Sequence, residues 1–178
     1  WARICEHIIR HYNEGWADGY HYNIEYWEIW NEPDLNTHIA NFNRAKSPTW
    51  TGTEEEFFCL YEIAANHLNK CFPHLKIGGP ALCSNLEWAD RFLAYMSKKK
   101  VDMDFFSYHR YFADMQKAIK TTNTVKALLD KYGYSNVEMI FNEWNYIANW
   151  GDGFVHSLET ISSYKGGAYV AAVMSTFQ

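Results

Sequence analysis

The sequence lacks the features that mark membrane, nucleic-acid-binding and metal-binding proteins. Its 178 residues contain no apolar run of about 18, the length that a membrane-spanning helix needs, so no membrane contact is expected. The formal net charge is −5 and the longest basic run is Lys98-Lys99-Lys100, which argues against nucleic acid as a partner. The 8 histidines are dispersed and show no HExxH or similar spacing, so neither a metal nor another cofactor is expected.

The chain also has no sequence signature of disulfide or redox chemistry. Its 4 cysteines (Cys5, Cys59, Cys71 and Cys83) show no C-x-x-C spacing. In a chain of this size they are interpreted as buried free thiols, which favours a reducing, cytoplasmic location. The sequence begins at Trp1 rather than Met, which is compatible with a removed signal peptide, so secretion stays open as the alternative.

What the sequence does have is a composition typical of a folded domain with many rings. It is 48% hydrophobic and 21% charged, which indicates a globular protein. Aromatic residues make up 18%, which fits either a large core or a cleft that binds sugars or bases. No repeat, linker or low-complexity segment interrupts the chain, so residues 1–178 are treated as one unit.

Helical and strand patterns alternate along the whole chain. Apolar periodicity and capping residues predict helices at 1–14, 53–71, 86–99 and 114–132, and from about residue 158 to the end. Short apolar runs predict strands at 24–32, 75–79, 103–111 and 137–143. This order is typical of an α/β fold built from parallel βαβ units with right-handed crossovers.

Two of the predicted strands end in a glutamate, Glu32 and Glu143. The strand before Glu32 is rich in Ile, Tyr and Trp, which predicts burial on both faces, and Pro33 is expected to keep Glu32 extended. The carboxyl ends of parallel strands lie at one edge of a sheet, so the two carboxylates can converge. Paired carboxylates across a cleft are what glycoside hydrolysis requires.

Three stretches carry a family resemblance. Tyr26-Trp27-Glu28-Ile29-Trp30-Asn31-Glu32-Pro33-Asp34 resembles strand 4 of the retaining (β/α)8 glycosidases, and it is most similar to glycoside hydrolase family 39 of β-xylosidases and α-L-iduronidases. Ile140-Phe141-Asn142-Glu143-Trp144-Asn145 resembles the nucleophile strand 7. Ser107-Tyr108-His109-Arg110-Tyr111 resembles strand 6. The resemblance covers almost the whole chain and implies a partial TIM barrel, roughly strands 4 to 7 with flanking helices.

The resemblance also implies roles for individual residues. Glu32 would be the general acid/base, with a pKa raised by partial burial and by the charge of Glu143. Glu143 would be the nucleophile of a two-glutamate double displacement, with Tyr111 as a hydrogen-bond donor to it. The remaining predicted contacts with a glycoside or oligosaccharide substrate are Asn31, at the sugar 2-hydroxyl, and His109, Trp144 and Trp150.

The sequence departs from the family pattern in length. A (β/α)8 barrel takes about 250 residues, and strands 1–3 and 8 have no counterpart here, nor do the strand 2 arginine and the strand 8 tryptophan of the clan. Residues 1–178 are therefore expected to be a fragment of a glycosidase catalytic domain, inactive by itself, or a half-barrel that self-associates.

Several functions fit these residues. The expected activity is that of a β-xylosidase. The alternatives within the clan are an α-L-iduronidase, an α-L-arabinofuranosidase and an endo-acting glucanase or mannanase. An iduronidase would need cations near the strand tips, where the sequence offers Arg44, Lys46 and Arg110. The alternative of another class is a half-barrel that binds carbohydrate without hydrolysing it.

Overall fold

A computed structural model describes residues 1–37, 39 and 43–177, without the side chain of Arg44. Helices and strands alternate as the sequence predicts. In chain order they are α1 (Ala2–Glu14), β1 (Tyr26–Glu28), a 3-10 turn (Arg44–Lys46), α2 (Glu54–Cys71), β2 (Lys76–Leu82), α3 (Leu86–Lys99), β3 (Phe105–Phe112), α4 (Met115–Lys131), β4 (Glu138–Tyr146), α5 (Phe154–Ile161) and α6 (Tyr164–Thr176).

The sheet is parallel and follows chain order. Its strands lie in the order β1-β2-β3-β4, each hydrogen-bonded in parallel to the next. The sheet is so curled that its outer strands touch across the concave face: the Tyr26 hydroxyl donates to Glu138 at 2.9 Å, and the Asn142 amide donates to Glu28 at 3.0 Å. This is half of a TIM barrel with its helices on the convex side, as the sequence predicts.

Strand β1 differs from its prediction. It spans only Tyr26–Glu28 rather than 24–32, and the side chains of Tyr26 and Glu28 are exposed, so burial on both faces was a wrong prediction. The reason lies in the sheet order, because among the described residues β1 pairs with β2 alone and is an outer strand. The apolar pattern was read as that of a central strand.

Three other segments differ in extent. β2 continues through Leu82 rather than ending at residue 79. β4 continues through Tyr146, so Glu143 lies within the strand and not at its end. The C-terminal helical region is two helices rather than one. Ser163 begins the second helix, because its hydroxyl accepts a hydrogen bond from the backbone N–H of Lys165. Its extended backbone separates this helix from the preceding one, which ends at Ile161.

The core lies between the convex face of the sheet and helices α2 and α3. Four large aromatic side chains fill its centre without measurable exposure, and the rings of Trp88 and Phe92 stack at 5.3 Å; they are Phe57, Tyr61, Trp88 and Phe92. Helix α2 is fixed at its start by a capping box between Thr53 and Glu56. Aromatic side chains therefore form the centre of the core, which was one of the two interpretations of the aromatic content.

The structure also tests the predictions made for the cysteines and for membrane-spanning helices. All 4 cysteines are free thiols, as expected, but Cys59 is exposed and the other three are half-buried, so full burial was wrong. Among the described residues, no helix combines the length and the apolar character that crossing a membrane requires.

Candidate active site

Glu32 reaches the site through a strained turn after β1. Its backbone N–H donates to Ala81 at 2.9 Å and its carbonyl accepts from the Thr49 hydroxyl at 2.8 Å. These bonds hold Glu32 at a φ of 47°, with Trp30 at 72°, both in the left-handed region. The expected extended conformation of Glu32 was therefore wrong, because contacts with neighbouring segments outweigh the local preference set by Pro33. Such strain concentrates at functional sites.

The opposite carboxylate, Glu143, is turned toward the site by a β-bulge. Tyr108 pairs with Phe141, whereas His109 pairs with Glu143, so Asn142 is an extra residue in β4. If the same residues ran without a bulge, strict alternation would place Glu143 on the convex side with Phe141. With it, Asn142 and Glu143 both point to the concave side, where they bond to Glu28 and Tyr111. Bulges commonly re-aim a side chain beside an active site.

His109 joins the two glutamates. Its Nδ1 lies 2.9 Å from Glu32 Oε1 and 3.4 Å from Glu143 Oε2, and its side chain is only 2% exposed. Glu32 is 15% exposed and Glu143 45%, so the nucleophile candidate is the more open of the two. The nearest oxygens of the two carboxylates lie within 4.8 Å of one another. The predicted convergence of the two glutamates is therefore present.

Tyr111 supports Glu143 from the same strand as His109. Its hydroxyl donates to Glu143 Oε1 at 2.6 Å, which is the predicted hydrogen bond. Burial, and then this bond, raise the pKa of Tyr111 well above its ordinary value, so the phenol stays protonated. The ring of Trp150 meets Tyr111 edge-on at 5.1 Å and stacks on Phe154 at 5.6 Å. Trp150 lines the cavity and is 63% exposed.

The ionisation of Glu32 differs from its prediction. The hydrogen bond from His109 lowers the pKa of Glu32, and burial opposes this to a smaller extent. The sequence argument counted burial and the charge of Glu143 and predicted a raised pKa. It left out a donor that the fold places against the carboxylate, and hydrogen bonds to the charged form lower a carboxyl pKa.

A cavity of about 520 Å³ opens between these residues. Such a volume suits a small ligand. Its described lining residues are Glu32, Leu35, Asn36, Cys83, Ser84, Arg110, Tyr111, Glu143 and Trp150.

The other predicted residues lie around this cavity rather than in it. Asn31 is exposed beside Glu32, outside the described lining. Trp144 packs near Phe141 and Tyr169 on the convex side of β4, so the fold does not bring it to the two glutamates.

Among the described side chains of the cations considered for a uronic acid, Arg110 reaches the cavity and Lys46 does not. Arg110 is part of the lining. Lys46 is exposed outside the described lining, and the side chain of Arg44 lies outside the described residues.

Two of the residues around Glu32 that the sequence analysis did not predict are Cys83 and Asp34. Cys83 lines the cavity together with Glu32, and burial raises the pKa of its thiol. Asp34 is 1% exposed, and its carboxylate accepts from the backbone N–H groups of Cys83, Ser84 and Asn85. Cys83 gave no signal in the sequence. Asp34 gave a weak signal in the sequence, because it is only two residues from Glu32 and must lie near the site that contains Glu32.

Two groups of side chains could in principle hold a cation, among the residues that the structure describes. One is the Glu32, His109 and Glu143 cluster itself. The other is Glu6, His67 and Cys71 on α1 and α2, where Glu6 is already ion-paired with Arg10 and bonded to His67. Neither arrangement needs a metal to account for its contacts.

Comparison with known proteins agrees with this geometry. The model of glycosyl hydrolases family 39 matches residues 1–175. The chain belongs to this family. A beta-xylosidase of Geobacillus stearothermophilus is 32% identical over 117 residues, covering 62% of this chain and 20% of the relative. A beta-xylosidase of Caldicellulosiruptor saccharolyticus is 30% identical over 133 residues, covering 74% and 24%.

A solved structure of the same shape is the glucosidase from Croceicoccus marinus. It superposes with a TM-score of 0.70 at 28% identity, over 83% of this chain and 30% of that one. The family 39 chain thus spans about a fifth to a quarter of the length of the curated relatives it matches.

Proposed function

We propose that this family 39 chain carries both catalytic carboxylates of a retaining β-xylosidase. The observation that carries the proposal is the convergence of Glu32 and Glu143 on one imidazole, with carboxylate oxygens within 4.8 Å. Retaining glycosidases hold their carboxyl groups about 5–5.5 Å apart, whereas inverting enzymes need about 6.5–9.5 Å to admit a water molecule. The short separation favours retention.

In the first step, Glu143 attacks the anomeric carbon while Glu32 donates its proton to the departing oxygen. Tyr111 bonds to Oε1 of Glu143, so Oε2, which lies 3.4 Å from His109, is the oxygen that would form the glycosyl bond. In the second step, Glu32 removes a proton from water as that water attacks the glycosyl-enzyme, which restores both residues.

The xylose assignment follows the names of the two curated relatives. The glucosidase among the solved structures makes a glucoside the first competing substrate. Arg110 at the cavity makes a uronide the second, since a guanidinium can pair with a sugar carboxylate. Trp150 offers an exposed ring for stacking on the sugar.

The remainder of the barrel is part of the proposal. The fold corresponds to strands 4 to 7, and strands 1–3 and 8 would come from further polypeptide of the complete protein. The strand 8 tryptophan and the strand 2 arginine of the clan would then complete the sugar site.

A panel of nitrophenyl glycosides on the complete protein tests the substrate and the mechanism together. We expect β-xyloside hydrolysis, with the β-anomer of xylose as the first product seen by proton NMR. Glu143→Gln should abolish turnover. Glu32→Ala should largely retain the hydrolysis of aryl xylosides with good leaving groups and strongly reduce the hydrolysis of alkyl xylosides.

The matched control is Glu138→Gln, an exposed glutamate of β4 that bonds Tyr26 and lies outside the described lining of the cavity. It should keep full activity. An α-anomer as first product, or alkyl xyloside turnover by both active-site variants, would refute the mechanism. Calorimetric binding of xylobiose without hydrolysis would instead favour the non-catalytic alternative.

A further inference from the structure

Two loops form the wall of the cavity around Glu32. One follows β1 and contributes Glu32, Leu35 and Asn36, and the other follows β2 and contributes Cys83 and Ser84. Asp34 lies where they meet, in the same turn as Glu32 and separated from it by Pro33 alone.

The Asp34 carboxylate ties the second loop to the first through three short bonds. Oδ1 accepts from Cys83 N–H at 2.7 Å, and Oδ2 accepts from Ser84 N–H at 2.9 Å and from Asn85 N–H at 2.7 Å. The side chain is nearly inaccessible, at 1% exposure. A buried carboxylate is unfavourable unless such donors surround it.

Further bonds stiffen the same junction. The Thr37 hydroxyl donates to the Asp34 carbonyl at 2.6 Å and accepts from the Asn85 side chain at 2.9 Å. The Glu32 backbone is held at both ends by Ala81 and Thr49. Pro33 adds a fixed φ between the two acids. The position of the Glu32 carboxylate therefore depends on the anchor two residues later.

An amide cannot replace this carboxylate. Asparagine has one acceptor oxygen and an NH2 group that only donates, so at least one of the three backbone N–H groups would face another donor. The junction would have to open to relieve that contact.

We propose that Asp34 is a positioning residue for Glu32: its carboxylate clamps the 83–85 loop and thereby fixes the acid/base where it meets the departing oxygen. This inference rests on the proposed function. It predicts a defect specific to proton donation, because the nucleophile Glu143 and its partner Tyr111 are held by other strands.

The test is Asp34→Asn in the complete protein, assayed on aryl xylosides whose leaving groups range from good to poor. A misplacement of about 1 Å can lower a rate about 100-fold. We expect a loss of that order on poor leaving groups, about 3-fold or less on the best ones, and a KM little changed.

The matched control is Asp104→Asn. Asp104 also accepts a backbone N–H of the β2 segment, that of Ile77 at 2.9 Å, but at the opposite end of the sheet. It should lower the melting temperature without changing the dependence on the leaving group. If Asp34→Asn fails to fold, Thr37→Val removes the outer bonds of the same junction and should give the same pattern more weakly.

Equal losses on all leaving groups, or the same profile for Asp34→Asn and Asp104→Asn, would overturn the proposal. Glu32→Ala on the same substrates distinguishes a failure of the proposed function from a failure of the inference about Asp34. If Glu32→Ala shows no dependence on the leaving group, the acid/base assignment itself is wrong. If Glu32→Ala shows that dependence and Asp34→Asn does not, only the positioning role of Asp34 is wrong.

Discussion

A single buried imidazole controls the charge of the candidate acid. His109 Nδ1 lies 2.9 Å from Glu32 and favours its ionised form, whereas a general acid must start protonated. The free site therefore holds Glu32 at a lowered pKa. Exclusion of water by the bound sugar would act in the opposite direction, since desolvation raises a carboxyl pKa.

Replacing His109 by phenylalanine should move the pH profile upward. The donor is lost while the burial of Glu32 remains, so the pKa of Glu32 rises. Since kcat/KM falls as pH rises through the pKa of the acid, its descending limb should shift to higher pH. The pH dependence of kcat/KM for an alkyl xyloside measures this.

His67→Phe is the control for this prediction, because His67 also bonds to a glutamate, Glu6, but on the helical surface outside the cavity. It should leave the profile in place. A shift of the descending limb to lower pH in His109→Phe, or no shift at all, would contradict the account.

At the scale of residues, the sequence located the site residues where a sequence motif and the parallel order of the strands indicated the same edge of the sheet. Glu32, Glu143, His109 and Tyr111 were predicted at one edge of the sheet, and they meet there. The role of Asp34 could not be predicted, because its three donors lie 49 to 51 residues further along the chain. The lowered pKa of Glu32 has the same origin, a donor supplied by tertiary structure.

At the scale of elements, the decisive feature is the bulge in β4. Apolar periodicity located the strand, but an extra residue in a ladder has no signature in the sequence of one strand. The side to which Glu143 points is set by its register with β3. The same register explains why Trp144, one residue on, lies on the convex side instead of in the cavity.

Deletion of Asn142 should therefore remove the bulge but keep Glu143 on the concave side. Glu143 would then follow Phe141 directly, so strict alternation would turn it away from the convex face on which Phe141 packs. We expect activity well above that of Glu143→Gln, while circular dichroism shows a retained α/β fold.

Deletion of Asn136, exposed in the turn before β4, is the matched control because it leaves residues 138–146 in register. It should keep most of the activity. Activity as low as that of Glu143→Gln after deletion of Asn142 would contradict this assignment of the two faces of β4.

At the scale of the molecule, the sheet has two outer strands. Among the described residues, β1 and β4 each pair on one side only. Unpaired strand edges are prone to join other chains. Large apolar side chains are also exposed on the helices that flank the sheet, including Ile4 of α1 and Val170 and Met174 of α6.

The 178-residue chain by itself should therefore self-associate, whereas the complete barrel should not. Size-exclusion chromatography with light scattering should give a mass above the 20.9 kDa of one copy, rising with concentration. The complete protein at equal concentration is the control. A sharp 20.9 kDa peak with full xylosidase activity would contradict this prediction.

The fold class could be predicted at this scale because the alternation of elements survives in any part of a barrel. The exposure of β1 could not, since a strand that is central in a closed barrel carries the same apolar residues when it lies at an edge. What surrounds a strand is a property of the whole assembly and not of its own sequence.

The contacts from Tyr26 to Glu138 and from Glu28 to Asn142 have a consequence for how such an enzyme could be taken apart. These two hydrogen bonds link β1 to β4 across the concave face, so the curvature of the sheet does not depend on a closed ring of strands. A separately produced polypeptide carrying the other strands would meet an edge already set at the angle it must join. Reconstitution of hydrolysis from two pieces is accordingly what this architecture permits.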